Sequence, residues 1–204
     1  MNNIQFITHE NQRFGYVEGA EMALRGGCKW VQLRMKDATD NEFLSVGRKV
    51  STLCRNYNAI FLLDDRVHLV AELGADGVHL GKNDMPISEA RCMLGSEKII
   101  GGTANTFTDV QRLATEGVNY IGCGPFRYTK TKCNLAPILG LEGYRDILKQ
   151  MKKANICLPL IAIGGIVSTD IVALITIGVS GIAVSGAILE AVNPINEMTK
   201  LIEI

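Results

Sequence analysis

The sequence carries no surplus of charge. Lys plus Arg is 21 and Asp plus Glu is 21, so the basic balance expected of a nucleic-acid partner is missing. No unbroken apolar segment reaches the roughly 18 residues of a membrane span, and no basic-then-apolar stretch opens the chain. A cytoplasmic protein with neither a nucleic-acid nor a membrane partner is the expectation. Histidine is scarce: His9, His68 and His79 are too few and too scattered for a histidine-rich metal cluster. The cysteines (Cys28, Cys54, Cys92, Cys123, Cys133 and Cys157) contain no CxxC pair, and a chain this long and apolar needs no disulfide staples. They read as structural thiols. Proline- or serine-rich linkers and low-complexity tracts are also lacking, so one domain over residues 1–204 is expected.

Short apolar runs recur through the chain. They are "IQFIT" (4–8), "WVQLRM" (30–35), "IFLLDD" (60–65) and "GVHLG" (77–81), then "IIGGTA" (99–104), "YIGCGP" (120–125), "LPLIAIGG" (158–165) and "GIAVSGAI" (181–188). Each reads as a buried strand, and most precede a stretch with helical spacing. In "YVEGAEMALRGG" (16–27) the stripe is Val17, Ala20, Ala23 and Leu24, ended by glycine. In the segment 39–57 it is Phe43, Leu44, Val46, Val50, Leu53 and Cys54, with Thr39 or Asp40 as cap. Further helices open near Asp84 and Pro86 and near Pro194. Eight strand–helix units predict a compact α/β (β/α)₈ TIM barrel. The rival doubly wound sheet would often place GxGxxG after the first strand, and "FITHENQRFG" has none.

In such a barrel the site lies where the strands end. Gln32, Arg34 and Lys36 in "VQLRMK" share one side of an extended segment. Two cations there call for an anion, unless the strand stops early and Lys36 only caps it. Asp64, Asp65 and Asp84 offer hard oxygen ligands suited to Mg²⁺, although Asp84 could equally cap the helix before Pro86. His79 reads as a packed or hydrogen-bonded interior residue. Thr103 and Asn105 end the fifth strand. Then comes "GPFRYTKTK" (124–132), in which Thr129, Thr131 and Lys132 supply hydroxyls and a point charge, while Arg127 and Lys130 read as rim cations. The glycines of "IGGI", Gly165 among them, and the Ser185–Gly186 step stand at the seventh and eighth strand ends, a recurrent phosphate position in barrels. No nucleophile–base pair is evident.

In order and spacing, "VQLRMK", "DDRVHLVAELGADGVHLGKNDMP", "GPFRYTKTK", "LGLEGY", "IAIGGI" and "GIAVSGAI" resemble the thiamine-phosphate synthase family. The resemblance implies a transferase that joins 4-amino-2-methyl-5-hydroxymethylpyrimidine diphosphate to a thiazole phosphate, with Mg²⁺ as cofactor and only small-molecule partners. It assigns Gln32, Arg34 and Lys36 to the diphosphate substrate and Asp65 and Asp84 to the metal. It assigns Thr129 and Thr131 to the thiazole phosphate, Lys132 to the diphosphate, and Gly165, Ser185 and Gly186 to phosphate. Arg34, Thr103 and Lys132 are the expected catalytic residues. Asp64 departs from the family's asparagine, Thr103 from its usual serine, and Ser185–Gly186 from a valine–serine step. Asn105 stands where the related thiazole tautomerase uses a histidine, which counts against that alternative. Other phosphate-binding TIM-barrel enzymes and a non-catalytic binder remain as further readings.

Overall fold

The computed structural model describes residues 3–128 and 137–204. Eight parallel strands close into a barrel: β1 (Asn3–Ile7), β2 (Trp30–Leu33), β3 (Ile60–Asp64), β4 (Gly77–Leu80), β5 (Ile99–Ala104), β6 (Tyr120–Cys123), β7 (Leu160–Ile163) and β8 (Gly181–Val184). The ring shuts where β1 pairs with β8, from Asn3 opposite Gly181 to Phe6 opposite Val184. Around it run α1 (Tyr16–Arg25), α2 (Asp40–Asn56), α3 (Val70–Leu73), α4 (Ile87–Leu94), α5 (Phe107–Glu116), α6 (Gly140–Lys153), α7 (Ser168–Thr176), α8 (Gly186–Leu189) and α9 (Pro194–Glu203). Among the described residues no helix is long and apolar enough to cross a membrane.

Several apolar runs outlast their strands. "WVQLRM" stops pairing at Leu33, so Arg34 and Lys36 lie beyond β2. "GIAVSGAI" is a strand to Val184 and a helix from Gly186. A short apolar run cannot distinguish the two states, and only the ladder partners decide. Helix starts follow local chemistry. Thr39 Oγ1 accepts from Glu42 N, and Glu42 Oε2 accepts from Thr39 N at 2.8 Å, so two orphan amides are satisfied reciprocally. Thr106 and Asp109 repeat the device at α5.

Two apolar layers result from the period-two alternation of the strands. Outward side chains such as Phe6, Val31, Leu63 and Ile100 pack under the helices. Inward ones, among them Ile7, Leu62, Tyr120, Ile161 and Ala183, fill the lower barrel. Glycine makes room for the largest of these, since a Cβ on Gly101 would lie 2.2 Å from the Tyr120 ring. Tyr144 of α6 fastens the helix layer to the barrel: its buried hydroxyl donates to Cys123 O and accepts from Ile163 N, bridging the ends of β6 and β7.

Candidate active site

Above the apolar filling, the same inward positions turn polar and line a cavity of about 770 Å³ at the C-terminal strand ends. Its floor is a hydrogen-bonded set. Tyr120 Oη accepts from Gln5 Nε2 (3.3 Å) and meets His79 Nδ1 at 2.9 Å, while His79 Nε2 meets Thr103 Oγ1 at 3.0 Å. Burial holds the Tyr120 phenol well above its ordinary pKa, so it stays a neutral hydroxyl. Gln5 and Tyr120 escaped the sequence reading, because polar residues early in a strand carry no signal until the barrel turns them inward. His79 occupies the packed, hydrogen-bonded place expected of it.

Lys36 lies next to Arg34 and Asp64, which line the cavity as Lys36, Asp65 and Asp84 do not, and is surrounded by carboxylates. Its Nζ lies 2.7 Å from Asp65 Oδ2, 3.0 Å from Asp64 Oδ2 and 3.6 Å from Asp84 Oδ2. Arg34 Nε approaches Asp64 at 3.7 Å, and Arg66 pairs with Asp65 at 2.9 Å. Asp65 presents its carboxylate from a left-handed backbone (φ 60), and Asp84 is tethered by the amide of Gly81 at 2.6 Å. Burial works against the Lys36 ammonium, but Asp64 and Asp65 outweigh it and hold its pKa above the lysine value. Burial pushes the Asp64 carboxyl up, and Lys36 and Arg34 offset this only in part. Asp64 Oδ2 is taken up by Lys36 Nζ at 3.0 Å, and the Gln32 amide supports the Tyr120 hydroxyl from beside. Both residues line the cavity.

Opposite, the turn after β7 brings Gly164 and Gly165 (φ +100 and +67) to the cavity wall beside Ser185 and Gly186. The Ser185 hydroxyl donates its one proton to Ile7 O at 2.6 Å, and its oxygen meets His9 Nδ1 at 2.7 Å. What remains of Ser185 for an anion is backbone. Burial lowers the His9 pKa, with Glu190 opposing. Asn105 does reach the cavity, but its amide donates to Gly124 O. Arg127 is not the loose rim cation its sequence context suggested, because it pairs with Asp170 at 2.8 Å. Thr129, Thr131 and Lys132 lie outside the described residues. Among the described cysteines none is in a disulfide, and burial raises the thiol of Cys28 to about 11 and those of Cys54 and Cys123 to about 12. Those three are not thiolate nucleophiles.

A closed (β/α)₈ barrel with its cavity at the C-terminal strand ends places the chain in the TIM-barrel class. A family model described as thiamine monophosphate synthase matches residues 4–188. A thiamine-phosphate synthase of Bacteroides fragilis is 55% identical over 204 residues, covering 100% of both chains. Another, from Bacteroides thetaiotaomicron, is 56% identical over 202 residues, covering 99% of this chain and 97% of its own. The solved thiamine phosphate pyrophosphorylase of Pyrococcus furiosus superposes with a TM-score of 0.88 at 32% identity, covering 98% of this chain and 94% of that one. The chain belongs to the thiamine monophosphate synthase family, and with it to the transferases.

Proposed function

We propose that the protein, acting as one catalytic domain over residues 1–204, is a thiamine-phosphate synthase. It condenses 4-amino-2-methyl-5-hydroxymethylpyrimidine diphosphate with a thiazole phosphate, releasing diphosphate and thiamine phosphate. The observation that carries this reading is the Lys36 ammonium shared by Asp64, Asp65 and Asp84, next to a cavity lined by Arg34 and Asp64 on one side and by the Gly164–Gly165 turn on another. One side suits a charged diphosphate with its counter-cation and the other a phosphate, in a cavity of about 770 Å³, which is large enough for two small substrates.

The donor set fits Mg²⁺: three carboxylates converge on one cationic atom, and their oxygens are the hard ligands this ion takes. Among the described residues no group of three or more His, Cys, Asp or Glu is arranged to hold an ion by itself. Asp65 and Asp84 are the proposed protein ligands. Bound Mg²⁺ neutralises charge on the diphosphate.

The remaining work falls to this chain's own side chains. Arg34 and Lys36 hold the diphosphate, joined by Lys132 on the strength of the family resemblance, and their attraction grows as charge moves onto the departing group. Gln32 and Asp64, both in the cavity wall, face the pyrimidine diphosphate. Thr103, oriented by His79 at 3.0 Å, presents its hydroxyl above the floor. Thr129 and Thr131, with the backbone of Gly165, Ser185 and Gly186, receive the thiazole phosphate. The electron-rich aminopyrimidine stabilises a developing cation at its methylene carbon, where the thiazole nitrogen then attacks in a dissociative substitution. No protein nucleophile is required, and the enzyme's contribution is alignment and electrostatics. A tautomerase would need a histidine where Asn105 donates to Gly124 O.

The test is diphosphate release measured with both substrates, with either omitted, and with EDTA. Release that needs both substrates and stops in EDTA is expected. Absence of release from the complete mixture would reject the synthase, and undiminished release in EDTA would reject the metal.

A further inference from the structure

Besides Tyr144, two residues that follow β6 tie it to the end of β7. Phe126 N donates to Ile163 O at 2.8 Å and Arg127 N to Gly164 O at 3.0 Å. The Arg127 guanidinium then donates from Nη1 to Gly165 O at 3.0 Å and grips both carboxylate oxygens of Asp170, each at 2.8 Å. Asp170 Oδ2 also accepts from Val167 N at 2.9 Å, so the same carboxylate organises the entry to α7. The guanidinium lies 4.9 Å from the centre of the Phe126 ring, which restricts it further. Packing is close: a Cβ on Gly165 would sit 2.5 Å from Arg127 Cγ.

These contacts decide how the glycine turn meets the cavity. Arg127 draws both turn carbonyls, those of Gly164 and Gly165, to itself. The polar groups that the turn keeps for a ligand are therefore its N–H groups, the kind that receives phosphate. A lysine could supply the charge at this place but not a planar fork reaching two carboxylate oxygens and a carbonyl together.

We propose that Arg127 is a positioning residue for the monophosphate-bearing substrate, locking the Gly164–Gly165 turn and the start of α7 in the conformation that receives its phosphate. This rests on the reading above that a thiazole phosphate is one of the two substrates. Arg127 acts through the turn, with Asp170 as its anchor, and makes no demand on the diphosphate side of the mouth.

The experiment compares wild type with Arg127→Ala, Arg127→Lys and Asp170→Asn. Each substrate is titrated at saturation of the other. Arg127→Ala is expected to raise the KM for thiazole phosphate about tenfold, the scale of one charge-assisted contact. The KM for the pyrimidine diphosphate and kcat should stay within about twofold. Asp170→Asn should move in the same direction, and Arg127→Lys should recover less than half of the loss. An unchanged KM in Arg127→Ala, an equal rise in both KM values, or full rescue by lysine would overturn the proposal. Calorimetric binding of thiazole phosphate and of inorganic phosphate supplies a readout that needs no turnover. Weaker binding of either ligand in Arg127→Ala and Asp170→Asn supports the clamp even if the complete mixture shows no synthase activity. Equal affinities in wild type and both variants refute it whatever the turnover. Should Arg127→Ala fail to fold, as judged by its melting curve, Asp170→Asn carries the comparison.

Discussion

Replacing Lys36 with methionine keeps most of the stem and removes the ammonium that three carboxylates share. The three ion pairs this breaks span 2.7, 3.0 and 3.6 Å, each worth about 4–6 kcal/mol gross at an effective dielectric of roughly 20. Desolvation consumes most of this. The Lys36 side chain is also 36% exposed, so the net loss is discounted to about 1–2 kcal/mol. In a chain of this size that corresponds to a fall in Tm of about 2–8 °C. Among the described residues, the variant is left with Asp64, Asp65 and Asp84 facing Arg34 at 3.7 Å and Arg66 at 2.9 Å, a cluster in need of a cation. It should therefore bind Mg²⁺ or Mn²⁺ without substrate, and at ten times Kd the ion returns about 1.4 kcal/mol. The assay is thermal melting with and without MgCl₂, paired with Mn²⁺ titration followed by EPR. Lys36→Met should regain about 3–5 °C, whereas wild type, with its own ammonium in place, should move by less than about 1 °C. An identical metal response in the two proteins, or an unchanged Tm in the variant, would refute the assignment of Lys36 as the resident counter-cation.

Asp64→Asn tests the buried carboxyl through pH. Its folded pKa is raised by burial, so the folded state holds its proton longer than the unfolded chain, and wild-type stability falls as pH rises from about 4 toward that raised value. The variant lacks this titration, so its stability relative to wild type should climb through the same window and then level off, as urea melts between about pH 4 and 8 would report. A pH-independent difference would contradict the shift. Tyr144→Phe removes the hydroxyl between Cys123 O and Ile163 N and should cost about 1–3 kcal/mol in a denaturant melt. A loss below about 0.5 kcal/mol would mean that the bridge between β6 and β7 is idle.

Local pattern alone carried the reading of the barrel. Apolar runs at short intervals, glycine stops after helical stripes and a cap at Thr39 or Asp40 depend on residues a few positions apart, so a linear sequence displays them. The strand ends were also legible to within a few residues, and with them the positions of Gln32, Arg34, Asp64, Thr103 and Gly165, all of which line the cavity. What the chain could not display is pairing at a distance. Lys36 and Asp65 are 29 residues apart, Arg127 and Asp170 are 43, and Ser185 reaches back 178 to Ile7. Each of those side chains has several chemically adequate partners in the sequence, and only the pairing of neighbouring strands (β2 with β3, β6 with β7, β8 with β1) sets which one lies within hydrogen-bond reach. Strand pairing thus set Arg127 against Asp170 rather than leaving it a rim charge, and closure of β8 onto β1 engaged the Ser185 hydroxyl with Ile7 O. It also gathered Gln5, His79 and Tyr120 into one polar floor, because strand registers, which no local pattern encodes, decide which inward side chains share a layer.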